Sequence, residues 1–428
     1  MVVVTGAPRI PAGDGSLGSV AAGSTETGIV VLRPSDEAGL TSFITAVTDK
    51  SSPLFHRYLA PGEFADRFGP ARSTILAVKA QLTAEGLRVT NVSSDGLLVS
   101  FSGSAATVET AFRTGIERYR LQDGWIGQAT TSAVRVPSTI AGSVSGVVGL
   151  DDLVHAQPTF VRPGPISVQR TFPSAKAVNL SHPAGSPTAC SLAQQDAETS
   201  GGLTDDQIAN AYGALGLYRS GDFGSGQHVA VYELQPFLAT DIENFDSCYF
   251  GATAAAQMSG RKGVLTGSRL SVIPLDGGDT PPGPGSSNDE STLDIEDVSA
   301  LAPEADIDVY EAPNTTSGGL DEYSQIVDKD VDQVVTSSWG VCEQFAQVGE
   351  PGLQQSENLL FEQAAAQGQT VLSAIGDTGD DGCNRARTRA EVSGRWLRNP
   401  DDGPAAARAM RVASATGGPQ SAGVRRKG

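Results

Sequence analysis

Four apolar runs recur between residues 227 and 377, and helical segments separate them. The runs read "QHVAVYEL" at 227–234, "ADIDVYEA" at 305–312, "DQVVTSSWG" at 332–340 and "QTVLSAIGD" at 369–377. Strands that alternate with helices form a mostly parallel sheet with crossover helices. Functional sites of such sheets lie beyond the carboxyl ends of the strands, and "SSWG" and "GDTG" fall at two of those ends.

An earlier segment, residues 27–121, predicts a smaller α/β unit. A strand "TGIVVLRP" precedes two amphipathic helices, and two further strands meet at a hairpin turn that contains Asp95 and Gly96. Ser104 is placed to cap a third helix, and "GIERYRLQ" reads as the last strand. This order is typical of a ferredoxin-like sandwich, a sheet with helices on one face.

Changes in composition predict the boundaries of the domains. Residues 155–200 are rich in Pro, Ser and Ala with little periodicity, so they read as a linker between a first domain at 1–154 and a second at 201–383. Residues 384–428 hold ten basic and three acidic residues, which gives this segment a charge of +7 and the preceding chain −26. Two explanations of this basic tail remain open: a frameshifted reading of GC-rich DNA, and a disordered interaction tail.

The overall charge and the cysteines exclude several function classes. A net charge of −19 and a pI near 4.6 argue against a nucleic-acid partner, which requires basic surface. The sequence has no apolar run long enough for a membrane span and no visible signal peptide at its start. Four cysteines allow three pairings, of which the order along the chain favours Cys190 with Cys248 and Cys342 with Cys383. The four histidines form no metal-ligand cluster in the sequence, so no metal site is predicted and each histidine is interpreted as structural.

The segment "SSNDESTLDIEDVSALAPEADI" at 286–307 predicts an unusual acidic helix. Glu290, Leu293, Asp294, Asp297 and Leu301 share one helical face, which therefore combines carboxylates with leucines. Pro303 is expected to end the helix. A solvated acidic face is the simpler interpretation of such a pattern.

Several segments together resemble the sedolisin and kumamolisin family of serine-carboxyl peptidases. "SPLFHRYLAPGEFADRFGP", "GLLVSFSGSAATVETAFRT" and "VPSTIAGSVSGVVGLDDL" are similar to the activation domain of that family. "DESTLDIEDVSALAPEADIDVYEA", "VVTSSWG" and "VLSAIGDTGDDGC" are similar to its catalytic domain. The resemblance implies a ferredoxin-like activation domain followed by an incomplete, subtilisin-like catalytic domain with a parallel sheet, hence an α/β fold class.

The resemblance also implies roles for individual residues. Glu290 matches the general base, Asp294 the acid behind it, and Asp377 of "GDTG" the residue of the oxyanion hole. The positions that match the substrate-binding strand are Ser337, Ser338, Trp339 and Gly340. A Glu base, with an ordinary pKa of about 4.3, stays deprotonated in acid that would silence a His base. Asp377 can stabilise an oxyanion only when it is protonated. Asp297 matches no role and is interpreted as a structural or solvated acid.

One part of the family pattern is missing from the sequence. The nucleophile of this family lies in a Gly-Thr-Ser motif, which occurs nowhere in the chain, and the serines after Asp377 (Ser393, Ser414, Ser421) lie in the basic tail. A calcium ion is expected from the family, but its C-terminal site is also missing. This loss, which begins where the composition changes, favours the frameshift explanation of residues 384–428.

Two functions are therefore carried forward. The first is a secreted acid endopeptidase zymogen that acts on polypeptides as a monomer and whose own activation domain occupies the cleft in cis until low pH releases it. The second is a non-catalytic product, an activation-domain module that binds or inhibits intact peptidases. Neither function involves nucleic acid or a membrane.

Overall fold

The structure is a computed structural model that describes residues 1–10, 13–121, 124–158, 183–200, 202–251, 270–278 and 289–374. Its helices are α1 Glu37–Thr48, α2 Glu63–Arg67, α3 Arg72–Ala84, α4 Ala105–Phe112, α5 Ser138–Ala141, α6 Ser191–Ser200, α7 Asp205–Ala211, α8 Leu215–Arg219, α9 Ala239–Phe250, α10 Asp289–Leu301, α11 Thr316–Lys329, α12 Glu343–Gly349 and α13 Leu353–Gln367. Its strands are β1 Val2–Thr5, β2 Gly15–Ser19, β3 Thr25–Leu32, β4 Arg88–Val92, β5 Leu98–Ser104, β6 Ile116–Arg120, β7 Ile126–Thr130, β8 Val134–Val136, β9 Val144–Val148, β10 Gln157–Pro158, β11 His228–Glu233, β12 Leu270–Pro274, β13 Asp306–Glu311, β14 Val334–Ser337, β15 Trp339–Gly340 and β16 Thr370–Ser373.

The first sheet is antiparallel, with the strand order β4-β5-β3-β9. Counted along the chain, these strands and their helices follow the βαββαβ order of a ferredoxin-like fold, as predicted. The strand predicted at "GIERYRLQ" is confirmed as β6, but its place in the first sheet was wrong, because β6 belongs to a separate three-stranded sheet, β2-β6-β7. β9 occupies its place beside β3 instead, a pairing over more than a hundred residues that local pattern cannot reveal.

Both faces of this antiparallel sheet are covered, so the prediction of helices on one face only was also wrong. Ile29 and Val31 of β3 point to the side of α1, while Val30 and Leu32 point to the side of α3 and α4. All four side chains are at most 1% exposed. A strand whose side chains are apolar on both faces must be covered on both.

The cover on the α1 side continues into the second half of the chain. Leu40 and Phe43 of α1 belong to the same hydrophobic core as Leu320 of α11 and Leu360 of α13. The backbone N–H of Leu59 also donates to the carbonyl of Ala366, at 3.0 Å. The two parts of the chain therefore pack through one continuous apolar core.

The second sheet is parallel, with the order β12-β13-β11-β14-β16. The four runs predicted from the sequence all contribute strands to it, and β12 is an additional edge strand that the sequence did not predict. α10, α11 and α13 are among the helices that pack beside it, which confirms the α/β fold class. β11 lies at the centre, so the carboxyl ends of β13, β11 and β14 meet at one edge.

The segment predicted as a linker, 155–200, is described at its two ends. β10 pairs antiparallel with β15, and α6 lies at 191–200, although no helix was predicted there. Cys190, just before α6, is joined by a disulfide to Cys248 of α9, the pairing that the sequence favoured. Cys342 is disulfide-bonded as well, while its expected partner Cys383 lies outside the described residues.

Two further features concern the chain as a whole. The basic segment 384–428 lies outside the described residues, so the prediction about it stays a prediction. Among the helices that the structure describes, none has both the length and the apolar character needed to cross a membrane.

Candidate active site

The carboxyl end of β11 places a glutamate beneath the edge of the parallel sheet. β11 reads "HVAVYE", and Glu233, its last residue, is fully buried. In the sheet Glu233 lies opposite Glu311 of β13, and its neighbour Tyr232 lies opposite Ser337 of β14. The ends of these three central strands therefore lie side by side at one edge of the sheet.

Helix α10 brings the predicted acids to the same place. Glu290 and Ser291, in its first turn, are 2% and 0% exposed. The Ser291 hydroxyl lies 2.7 Å from Glu233 Oε2 and also 2.7 Å from the carbonyl oxygen of Gln235, and it donates its hydrogen to one of them. Asp294 follows one helical turn after Glu290, so both acids lie on the same side of the helix.

The loop after β14 completes the group with residues that the family resemblance assigned to substrate binding. The Ser338 hydroxyl donates to Asp294 Oδ1 at 2.8 Å. Trp339 Nε1 donates to Glu233 Oε2 at 2.9 Å, and its backbone N–H donates to Ser337 Oγ at 3.2 Å. Ser338 and Trp339 thus contact the carboxyl groups directly, and Ser337 contacts Trp339. Gly340 lies in β15 opposite Gln157.

Burial decides the protonation of these carboxyl groups. It raises the pKa of Glu233 well above its usual range, and the nearby Asp294 charge raises that pKa further. Burial also raises the pKa of Asp294, against the effect of its hydrogen bonds with Ser338 and Glu233. Glu233 Oε1 and Asp294 Oδ2 are buried oxygens that receive no hydrogen from any described donor. A single proton shared between the two contacting carboxyl groups satisfies both oxygens.

A further acid supports Glu233 from behind. The backbone N–H of Glu233 donates to Oε1 of Glu322, which lies in α11 and is fully buried. Burial raises the pKa of Glu322 well above its usual range, and the charges of Glu233 and Glu311 add to that effect. The site is therefore an array of carboxyl groups that favours bound protons, which suits chemistry in acid.

The other predicted residues lie elsewhere. Asp377 lies outside the described residues, so its predicted oxyanion role is untested. Asp297 lies near Asp205, and burial, followed by its contact with Asp205, raises its pKa to about 7. Leu293, predicted on the inner face of α10, is 43% exposed. The inner face instead carries small and β-branched residues, among them Ile295 and Ala300.

Sequence reasoning missed Glu233. The available signal was a single acid at the end of an otherwise apolar central strand, a position where side chains enter the site of a parallel sheet. The spacing between Glu233 and α10 carries no periodicity that could have linked them.

The side chains of the described residues do not match the implied calcium ion. Within the described part of the chain, the one group of three potential ligands that lie close enough to share an ion is His228, Asp308 and Asp332. Calcium prefers oxygen ligands only, and this group includes an imidazole. These residues do not fit calcium, and none of the steps proposed below involves it.

The family model described as "Pro-kumamolisin, activation domain" matches residues 16–153. The chain is 28% identical over 395 residues to xanthomonalisin of Xanthomonas sp. (strain T-22), covering 88% of this chain and 42% of that protein. It is 30% identical over 370 residues to sedolisin of Pseudomonas sp. (strain 101), covering 85% of this chain and 56% of that protein. It is 29% identical over 333 residues to kumamolisin of Bacillus sp. (strain MN-32), covering 77% of this chain and 52% of that protein. The chain thus spans about half the length of these relatives.

Proposed function

Because this chain belongs to the sedolisin family of serine-carboxyl peptidases, we propose that it is the zymogen form of an acid-acting serine-type endopeptidase. The observation that carries the proposal is the buried carboxyl array of Glu290, Asp294 and Glu233 beside Ser338 and Trp339. A general base that accepts protons at low pH must be a carboxylate, because its pKa lies in the acid range. This array supplies such a carboxylate in a site that is shielded from water.

The chemistry follows from the protons that the array holds. Glu290 accepts the hydroxyl proton of a serine nucleophile as that oxygen attacks the peptide carbonyl, and it then gives the proton to the leaving amine. The peptide bond breaks, an acyl-enzyme forms, and water releases the acid product by the same proton transfers in reverse order. Asp294, held by Ser338 and by the proton shared with Glu233, orients Glu290. We assign to Asp377 the hydrogen bond that stabilises the oxyanion. No nucleophilic serine is identified in this chain.

The arrangement of the first domain supports inhibition in cis. β10, which directly follows the first domain, pairs antiparallel with β15, the proposed substrate strand. Asn314 Nδ2 also donates to the carbonyl of Ala156 at 2.9 Å. An extended segment that occupies this edge competes with a polypeptide substrate that would add itself as a strand.

We further propose that the enzyme acts outside the cell. The support is the disulfide between Cys190 and Cys248, together with the disulfide-bonded Cys342, because such bonds persist in oxidising compartments.

The test compares two acids of α10. The gene is resequenced from codon 384, and the protein it encodes is expressed and assayed for peptide hydrolysis at about pH 3 to 5, a range that spans the ordinary pKa of a Glu base. Glu290→Gln should lower kcat by about 10⁴-fold or more, since an amide is no base. Asp297→Asn, on the same helix but near Asp205, should keep activity.

Two results would contradict the proposal. One is a Glu290→Gln variant that cleaves peptides as well as the unchanged protein does. The other is a protein that has no peptidase activity in any form but inhibits sedolisin, which would favour the non-catalytic module instead.

A further inference from the structure

A second polar group lies at the opposite, amino-terminal edge of the same parallel sheet. His228 is the first residue of β11 and lies opposite Asp306, the first residue of β13. Asp308 follows two positions later on β13 and therefore shares the face of Asp306 and His228. Asp332 lies just before β14, on the other side of β11.

The ligating atoms of His228, Asp308 and Asp332 all lie within 4.8 Å of one another. Neighbouring ligands of a tetrahedral ion with bonds of about 2.1 Å are about 3.4 Å apart. Small rotations of the side chains are therefore enough to close the group around an ion. His228 Nε2 is 3.7 Å from Asp306 Oδ2, which is beyond hydrogen-bonding distance, so this contact does not hold the imidazole in place.

Asp332 is the strongest single indication of a ligand. Its side chain is 0% exposed, and its Oδ2 accepts a hydrogen bond from the Tyr310 hydroxyl at 3.0 Å. Its Oδ1 is buried and accepts no hydrogen bond from the described part of the chain. A buried carboxylate oxygen that lies beside another carboxylate, and that has no donor, requires a proton or a cation.

Among the described residues, no lysine or arginine supplies that cation. Lys329 is the nearby candidate, and its Nζ lies 4.8 Å from the centre of the Tyr310 ring. No ion pair in the described ranges joins Lys329 to Asp308 or to Asp332. Lys329 therefore contacts the Tyr310 ring and does not neutralise either of the two carboxylates.

We propose that His228, Asp308 and Asp332 bind one divalent transition-metal ion of the zinc class. One imidazole and two carboxylates suit Zn²⁺ and its first-row neighbours, whereas Ca²⁺ and Mg²⁺ prefer oxygen ligands only. The site lies roughly 16 Å from Glu233, the length of β11 at about 3.3 Å per residue, so the ion acts on structure and not on catalysis. It joins β11, β13 and the segment that leads into β14 into one rigid edge.

The experiment uses the full chain after treatment with a chelator. Zn²⁺ is titrated at about pH 7, where most of an ordinary imidazole is neutral, and Co²⁺ is titrated in parallel so that its visible absorption reports the ligands. One equivalent should bind, and the melting temperature should rise with the concentration of Zn²⁺. His228→Ala and Asp308→Asn should each weaken binding by about tenfold or more. Asp321→Asn is the matched control. Asp321 also lies beside another acid, Asp276, but this pair is not part of the proposed metal site, so the variant should bind Zn²⁺ as the unchanged protein does.

A second measurement keeps the proposal testable if these variants do not fold. In the unchanged protein, bound Zn²⁺ should protect His228 from diethyl pyrocarbonate, as followed by mass spectrometry of the peptide that contains it. The proposal is overturned if no Zn²⁺ or Co²⁺ binds, if both folded variants bind as tightly as the unchanged protein, or if Zn²⁺ leaves His228 equally reactive. In each of those cases a proton shared between the carboxyl groups accounts for Asp332.

Discussion

Glu233 connects the candidate active site to three different elements. Its side chain accepts a hydrogen bond from Trp339 in β15, lies next to Ser291 of α10 and contacts the carboxyl group of Asp294. Its backbone N–H donates to Glu322 in α11. A substitution of Glu233 can therefore test, by a stability measurement, whether the carboxyl array holds a proton. This test does not depend on catalytic activity.

Replacing Glu233 by Gln should make stability less dependent on pH. The folded-state pKa of Glu233 lies above its unfolded value, so the folded chain holds a proton that the unfolded chain loses above about pH 4.3, and stability falls as pH rises. The amide of Gln donates to Asp294 at every pH and removes this loss. Urea unfolding at several pH values between about 5 and 7 should give a slope that is smaller by up to about 1.4 kcal/mol per pH unit.

The control for this measurement is Asp66→Asn, which neutralises an exposed acid of α2. Equal slopes for the unchanged protein and Glu233→Gln would show that Glu233 does not hold the proton. A reduced slope in the Asp66→Asn variant would point to a general effect of charge.

At the residue scale, the sequence predicts which side chains lie together where a single element carries the pattern, whereas their catalytic roles stay predictions. Glu290 and Asp294 lie four residues apart on one helix, so their common side follows from helix geometry alone. Glu233 joins them only because β11 is the central strand of the sheet, a consequence of pairing between strands far apart in the sequence. The prediction that Leu293 faces inward was wrong, because many apolar side chains of folded proteins remain exposed to solvent.

At the level of elements, an unbroken run of apolar residues indicates burial of both faces of a strand, which an alternating apolar and polar pattern does not. The run from Ile29 to Leu32 has no polar alternation, which indicates cover on both faces of β3. From the sequence we expected helices on one face of this sheet only, because the helices within residues 27–121 are sufficient to cover one face. The second face is covered in part by α11 and α13, which lie some two hundred residues or more further along the chain.

The end of α13 shows how closely the two parts of the chain approach. Gly368 ends this helix with φ +85, a left-handed conformation that favours glycine, and a Cβ built there would lie 2.5 Å from the ring of Tyr58. Gly368→Ala should therefore destabilise the protein by about 1 to 3 kcal/mol, from backbone strain and the clash with Tyr58. Chemical denaturation of the two proteins measures this difference.

Gly142→Ala is the comparison for Gly368. Gly142 has φ −66, and a Cβ there would meet nothing within 4 Å. This variant should be neutral or more stable by up to about 1 kcal/mol, because alanine restricts the unfolded chain. Equal losses in the two variants would mean that the contact with Tyr58 is not what constrains Gly368.

At the scale of the whole molecule, acids are buried where the first domain meets the second. Burial, then the charge of Asp328 in α11, raises the pKa of Asp95 to about 8. The pKa of Glu350 is raised well above its usual range, first by burial and then by the charges of Asp152 and Asp151. Asp328 meanwhile accepts hydrogen bonds from the backbone N–H and the hydroxyl of Ser94.

These acids predict that low pH tightens the contact between the domains. Separation of the domains removes the charge of Asp328 from Asp95 and the neighbouring charges of Asp151 and Asp152 from Glu350, and it adds water at the exposed contact. We therefore expect both pKa values to fall towards the ordinary value of about 4. The joined form then holds more protons than the separated form between about pH 4 and pH 8, so its affinity must rise as pH falls through that window. These groups therefore argue against the expectation, carried forward from the sequence, that low pH by itself releases the activation domain. We expect the release to require cleavage of the connecting segment and removal of β10 from β15.

A chain with an inserted protease site between residues 159 and 182 tests this directly. After cleavage at that site, the two fragments should remain together on size-exclusion chromatography at about pH 4.5 and should separate progressively towards about pH 8, since the carboxyl groups must then ionise while buried. Asp95→Asn removes one of these acids, so its fragments should stay together to a higher pH than those of the unchanged chain. Asp66→Asn, exposed on α2, should not change the pH of separation. Fragments that separate in acid and rejoin at neutral pH would contradict the argument, and the acids at the contact would then have to be ionised in the joined form.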